Sequence, residues 1–405
     1  MNQKLLSSLL IVLVGCCFTS LCAQSSPTSA YLSSFRSSSA LRTFDAYSGK
    51  VNDLNFSLPG VDEINLRTET DQFNLSRQEY ALRVMFNNWG AGKSYKSEKA
   101  WLMAKIEADK GLYGAELLLS KYFDLVDLYH HIQKTEAYIQ DSIFADSMIR
   151  ATVNNILADQ SNDVDDLLNW EERKFVAHQK LQEEKSSASL LQSYTGFTSF
   201  DWSNWPDVTF MKSVLEQYSF EGLSPSVSKA FEADSMLLED RWAVSRKNDH
   251  RLLDYAQLRY SRRDNLLFQD EFSIGLGFRL PYKGTQKKQS NDYRIELLDL
   301  QQEKAIELAE KESAINDAMK KFNLLLIQWN ALISTESLPA SVNLSNPEVS
   351  RLYEIEKRKR GIENNAKKLD LKKKITEQYL QTLYLQGEME KSPCVNYLST
   401  LLPVF

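Results

Sequence analysis

From Lys93 to Ala158 the chain carries no proline and only two glycines, Gly111 and Gly114. Apolar residues recur through this stretch at intervals of three and four: Trp101, Ile106, Leu112, Leu117 to Leu119, Phe123, Val126, Tyr129, Ile132, Ile139, Ile143 and Met148. That spacing lines one side of an α-helix. Unbroken, the helix is on the order of 100 Å long at about 1.5 Å per residue, more than a compact domain needs. The first stop is Asp159-Gln160-Ser161-Asn162-Asp163, residues that favour caps and turns. A second helical pattern runs from about Val164 to Gln192, so 89–193 reads as a long helical hairpin. With 14 Gly and 9 Pro in 405 residues, the composition favours long helices over many turns.

The helical pattern is interrupted twice by alternation. Ile64, Leu66 and Thr68 alternate with Asn65, Arg67 and Glu69, and Tyr80, Leu82, Val84 and Phe86 with Ala81, Arg83 and Met85. Phe272, Ile274, Leu276, Phe278 and Leu280 alternate with Ser273, Gly275, Gly277 and Arg279, and Pro281 ends the run. A period of two gives a strand with one apolar face. A partner strand is expected between about Tyr255 and Arg263. The predicted organisation is therefore a Ser-rich irregular segment at 24–60, a first β-hairpin at 61–88, and the helical hairpin at 89–193. An aromatic loop follows at 194–223. A connecting helix at 224–254 starts with Ser224 as cap and Pro225 at its first turn. A second β-hairpin at 255–284 leads to a second helical hairpin at 285–390 with a break near 334–347, and 391–405 is a C-terminal tail. Strands, helices, loop, strands, helices: one plan occurs twice, as duplication of a whole unit would give.

The N-terminus has one early cation, Lys4, and an apolar run from Leu5 to Phe18. The run is too short for a membrane helix and fits a secretory leader over 1–23, cut after Ala23. A rival reading takes Leu13-Val14-Gly15-Cys16 as a lipidation box with Cys16 acylated. Three of the 4 cysteines lie in this leader, which leaves Cys394 and no disulfide framework. A net charge of −6 gives no basic field, so nucleic acid is not an expected partner. Two amphipathic hairpins in an exported chain have two explanations. One is a soluble sheet packed on a helix. The other is a barrel wall in an outer membrane, apolar outward and polar or small inward. Four strands do not close a barrel, and open edges are not tolerated in lipid, so the second needs several chains.

Several stretches resemble the TolC family of outer-membrane channel-tunnels. Phe272 to Tyr282 is similar to the family's second membrane strand with its terminal proline, and Tyr80 to Trp89 followed by Gly90 resembles the equivalent strand of the first half. Tyr122-Phe123-Asp124-Leu125-Val126 resembles the Tyr-x-Asp-Leu stretch of the long helix. Asp163 to Leu167 with Glu171-Glu172 resembles the segment after the periplasmic tip, and Gly361 with Leu369-Asp370-Leu371 is a weaker second copy. The resemblance covers about residues 61 to 390. It implies a mainly α fold of coiled-coil-like helical hairpins in two repeats, each adding a β-hairpin to a trimeric transmembrane barrel. It implies a homotrimer in outer-membrane lipid, with Tyr80, Leu82, Val84, Phe86, Phe272, Ile274, Leu276, Phe278 and Leu280 facing lipid. The partners it implies are a periplasmic adaptor and an inner-membrane transporter. The expected function is passive export of solutes or proteins, with no catalysis and no cofactor. The alternative is a coiled-coil scaffold of the periplasm or outer membrane that lacks a conducting barrel.

Asp159, Asp163, Asp165 and Asp166 cluster at the first tip. Capping and the helix dipole already account for acids there; the functional reading is a carboxylate ring at a pore built from three copies. Lys357, Arg358, Lys359 and Arg360 open a basic stretch on the last helix. Such runs are mostly solvated faces, and the functional reading is contact with the tip or an adaptor. Gly90-Ala91-Gly92-Lys93-Ser94 lacks the glycine a phosphate loop needs at Asn87, so it reads as a strand-to-helix turn. His130 and His131 lack a ligand at the i+4 spacing of a zinc helix and read as surface or interface residues.

Overall fold

The computed structural model describes residues 27–57, 60–70, 78–87, 91–158, 164–196, 204–218, 222–249, 253–261, 271–278, 283–336 and 347–401. The leader with Cys16 lies outside them, as do Asp159, Asp163 and Leu280. In chain order the elements are α1 (Pro27–Ser33), a short 3-10 turn (Ser34–Ser37), α2 (Ser39–Asp53), β1 (Val61–Thr70), β2 (Gln78–Phe86), α3 (Ala91–Leu157) and α4 (Val164–Thr195). They continue with α5 (Val208–Gln217), α6 (Pro225–Asp249), β3 (Leu253–Ser261), β4 (Glu271–Phe278), α7 (Lys283–Glu336), α8 (Pro347–Leu385) and α9 (Glu388–Lys391). The chain is mainly helical, with long helices and one small antiparallel sheet.

The described residues fall into two compact units, each gathering pieces from distant parts of the chain. The first draws on 1–38, 113–222 and 311–405; the second draws on 39–112 and 223–310.

In the first unit the core is built from α3, α5, α7 and α8. Leu118, Tyr122, Leu125 and Leu128 of α3, Met211 of α5, Phe322 of α7, and Ile375, Tyr379 and Leu380 of α8 are fully buried. Tyr122 and Asp124, both in the Tyr-x-Asp-Leu stretch, tie down the chain ends. The Tyr31 hydroxyl of α1 donates to Asp124 at 2.6 Å. The Tyr122 hydroxyl donates to the Val395 carbonyl at 2.6 Å and accepts from the Tyr397 N–H at 3.2 Å. Residues 391–401 are thus a packed part of this unit: Tyr397 and Leu398 are buried.

Two expectations need correction here. The segment 24–60, expected to be irregular, holds α1, the 3-10 turn and α2. Its serines weaken helix propensity, but Leu32, Phe35, Leu41 and Val51 are buried, and packing overrides propensity. The segment 194–223, expected to be an aromatic loop, contains α5. Asp207 caps that helix by accepting from the Phe210 N–H at 2.7 Å, and Val208, Met211, Val214 and Leu215 form its buried face.

The second unit joins the start of α3 to α6 through polar contacts. Asp240 accepts from Ser97 and from the Trp101 indole at 3.1 Å, and Lys105 bonds Asp234 at 2.7 Å. Gly111 lies against Ser226; a Cβ there would press on the serine hydroxyl, which would have to turn away. Ala91 to Ser94, read from sequence as part of a strand-to-helix turn, are instead the first turn of α3, where Ser94 is buried and accepts from Lys247.

Candidate functional site: a two-faced sheet and a helical groove

All four strands belong to one antiparallel sheet in the second unit, in the order β1-β2-β3-β4. The two hairpins, far apart in sequence, therefore meet through β2 and β3. Directly opposed residues of an antiparallel pair share a face, so the register assigns every side chain. On one face the rows across the strands read Thr68, Tyr80, Tyr260 and Phe272, then Leu66, Leu82, Leu258 and Ile274, then Ile64, Val84, Ala256 and Leu276. Phe86 and Phe278 extend this face at the far end. Tyr80 and Tyr260 stack with centroids 6.4 Å apart. Most of these side chains are exposed, with Leu66 and Ile274 each at 71%. This face is thus an exposed apolar band with aromatic residues at both of its ends.

The opposite face is polar and sorted by charge. Its rows read Glu69, Glu79, Ser261 and Glu271, then Arg67, Ala81, Arg259 and Ser273, then Asn65, Arg83, Gln257 and Gly275, then Glu63, Met85, Tyr255 and Gly277. Arg259 pairs with Glu79 across the strands, and Arg67 with Glu69 along β1. Arg259 thus sits away from the apolar face. The Arg83 guanidinium lies 3.6 Å from the centroid of the Tyr255 ring. That ring in turn covers Gly277, where a Cβ would collide with it.

In the first unit a groove of about 1200 Å³ is lined by Asp166, Trp170, Arg173, Arg351, Lys359 and Glu363, among others. It brings a member of the acidic candidate cluster to the same groove as a member of the basic one. Asp165 and Asp166 stand in the first turn of α4, where the helix dipole favours them. Of the basic run on α8, Arg358 lies 5.1 Å over the Phe144 ring and Arg360 bonds Glu356 at 3.3 Å. Arg173 crosses between helices to Asp141 at 2.8 Å and Glu363 at 3.1 Å.

The two adjacent histidines are partly buried residues at interfaces between helices. His130 has an 11% exposed side chain and meets Asp370 of α8 at 2.9 Å; Lys134, 8% exposed, reaches the same carboxylate at 2.8 Å. His131 pairs with Glu184 of α4. Helix spacing could not reveal these partners, because each comes from another helix. Burial pushes the His130 imidazole below its ordinary value of 6.5, with Lys373 and Lys134 adding and the Asp370 hydrogen bond opposing. Burial also pushes the Asp370 carboxyl up, but hydrogen bonds from Lys134 and His130 outweigh it and leave it below the usual range. At neutral pH His130 is thus an N–H donor to an ionised Asp370.

A histidine with a lowered folded pKa binds fewer protons folded than unfolded, so stability falls as pH drops below 6.5. Thermal midpoints measured from about pH 7.5 down to about pH 5 should decline, and His130→Gln should flatten part of that decline. Identical profiles for both proteins would count against this role.

Among the described residues no helix is long and apolar enough to cross a membrane, and no group of three or more His, Cys, Asp or Glu could hold a metal ion.

Comparison with solved structures places the fold among outer-membrane channels of TolC type. The CusC structure, determined in a study of folding and transmembrane channel formation, aligns with a TM-score of 0.59 and 10% identity, over 89% of this chain and 92% of that one. The outer membrane protein VceC of Vibrio cholerae aligns with a TM-score of 0.52 and 10% identity, over 89% and 96%. The CmeC outer membrane channel of Campylobacter jejuni aligns with a TM-score of 0.52 and 12% identity, over 89% and 84%. No family model and no curated protein sequence matches the chain. At such identities the likeness is one of fold.

Proposed function

We propose that the chain is one subunit of a homotrimeric outer-membrane channel, a passive conduit for export that works with a periplasmic adaptor and an inner-membrane transporter. The observation that carries this reading is the sheet. Its four strands present one exposed apolar face, and β1 and β4 stand at open ends of the strand order. Four strands are too few to enclose a lumen, and barrels begin near about eight. A lipid-facing sheet with two open edges is not stable alone, because its edge amides and carbonyls find no water in the bilayer. Three copies, edge to edge, remove every edge and turn the polar face inward. The fold's likeness to outer-membrane channels supports the same arrangement. In this reading Asp165, Asp166 and Lys359 belong to the tip region, where the groove offers charged walls to an adaptor. The chain's task is to line a path, and we assign it no catalytic step.

The test is extraction of the full chain from outer membranes in detergent, followed by chemical crosslinking and single-channel recording in planar bilayers. A crosslinked trimer with discrete conductance steps is expected. A monomer recovered in the soluble periplasmic fraction would instead favour a helical scaffold.

A further inference from the structure

We propose that Arg83 sets a preference for anions in the channel: its guanidinium, repeated in each copy, forms a cationic layer in the barrel wall. The inference rests on the channel reading above and adds the charge class of the permeant. It follows from how charge is sorted on the polar face of the sheet. Three arginines lie on that face. Arg67 and Arg259 are each paired with a carboxylate, Glu69 and Glu79, and so contribute little net field. Arg83 differs. Among the described residues it has no carboxylate partner, and its buried Nε has no hydrogen-bond acceptor. Its contact is the face of Tyr255 at 3.6 Å, which attracts the cation without neutralising it.

Position supports the same role. Arg83 lies two rows from Glu69, Glu79 and Glu271. Two rows are four residues, about 13 Å at about 3.3 Å each. That exceeds a screening length of about 8 Å at physiological salt, so the carboxylate row does not cancel the arginine. Glu63 lies diagonally across on β1, but Arg83 leans the other way, toward Tyr255 of β3. The absence of a side chain at Gly277 lets Tyr255 lie across β4, and the ring then holds Arg83 against the wall instead of across the lumen. Rings of arginine or lysine are a physical basis for anion selectivity in pores.

The experiment is the reversal potential of the purified full-length channel in a KCl gradient, with thermal stability of the oligomer measured alongside. Wild type should favour chloride over potassium. Arg83→Gln should lower that permeability ratio by at least about twofold at unchanged oligomer stability, and Arg83→Lys should keep it, since the layer acts through charge. Arg83→Met, which keeps bulk over Tyr255, is the second variant should the glutamine form fail to assemble. A conducting wild type whose ratio is unmoved in Arg83→Gln and Arg83→Met overturns the inference while the channel reading stands. A wild type that gives no conductance overturns both.

Discussion

Leu82→Arg is expected to eliminate the detergent-extracted oligomer and leave the chain aggregated or degraded. Leu82 sits mid-sheet on the apolar face, in one row with Leu66, Leu258 and Ile274. On the proposed reading this row lies near the middle of the bilayer. An arginine on the lipid face there costs about 2–4 kcal/mol per copy. Three widely separated copies add, giving about 6–12 kcal/mol, because distant sites are close to independent. That is comparable with the whole stability of a typical domain, about 5–15 kcal/mol. The control is Ser261→Arg on the opposite face, which places the new cation between Glu79 and Glu271 and should be tolerated. Outer-membrane fractionation and unheated gel electrophoresis read both variants. Equal oligomer yield for the two would mean that the apolar face does not meet lipid.

The strands were legible because their signal is local. In β1, β2 and β4 the alternation of apolar with polar or small residues gives both the element and its apolar face. β3 was harder: Tyr255 and Tyr260 differ in parity and occupy opposite faces, so hydrophobicity along the strand hardly alternates. What no single strand encodes is the register. That Tyr80, Tyr260 and Phe272 form one aromatic row, or that the glutamates and arginines segregate into neighbouring rows, depends on how distant hairpins align. The long helices were legible from the lack of glycine and proline. The short helices α1, α2 and α5 were not, because serine and aromatic clusters mask a helical face that only packing reveals. The carboxylates that hold His130, His131 and Lys134 come from α4 and α8, beyond the reach of spacing rules within one helix.

Tyr122→Ala is the second substitution with a large expected effect, and it acts in the other unit. The Tyr122 side chain is completely buried, its ring 6.3 Å from that of Tyr397 in an edge-on arrangement. Truncating a buried aromatic to alanine costs about 3–5 kcal/mol. Two backbone groups also lose their partner, the part-buried Val395 carbonyl and the buried Tyr397 N–H. Tyr122→Phe separates these contributions. It keeps the ring and removes only the hydroxyl, so the expected loss is about 1–3 kcal/mol, that of leaving buried polar groups unpaired. Denaturant unfolding should rank wild type, Phe and Ala in descending stability. Limited trypsin digestion adds a local readout, because Lys391 lies just before the segment that Tyr122 anchors. In the wild type that segment is held by Tyr122 and by the buried Tyr397 and Leu398, and cleavage after Lys391 should be slow. In Tyr122→Ala it should become an early cut. Early cleavage with unchanged global stability would make Tyr122 a latch for the C-terminal segment only. A loss of stability with no early cleavage would show that the tyrosine serves the helical core and that the segment holds by other contacts.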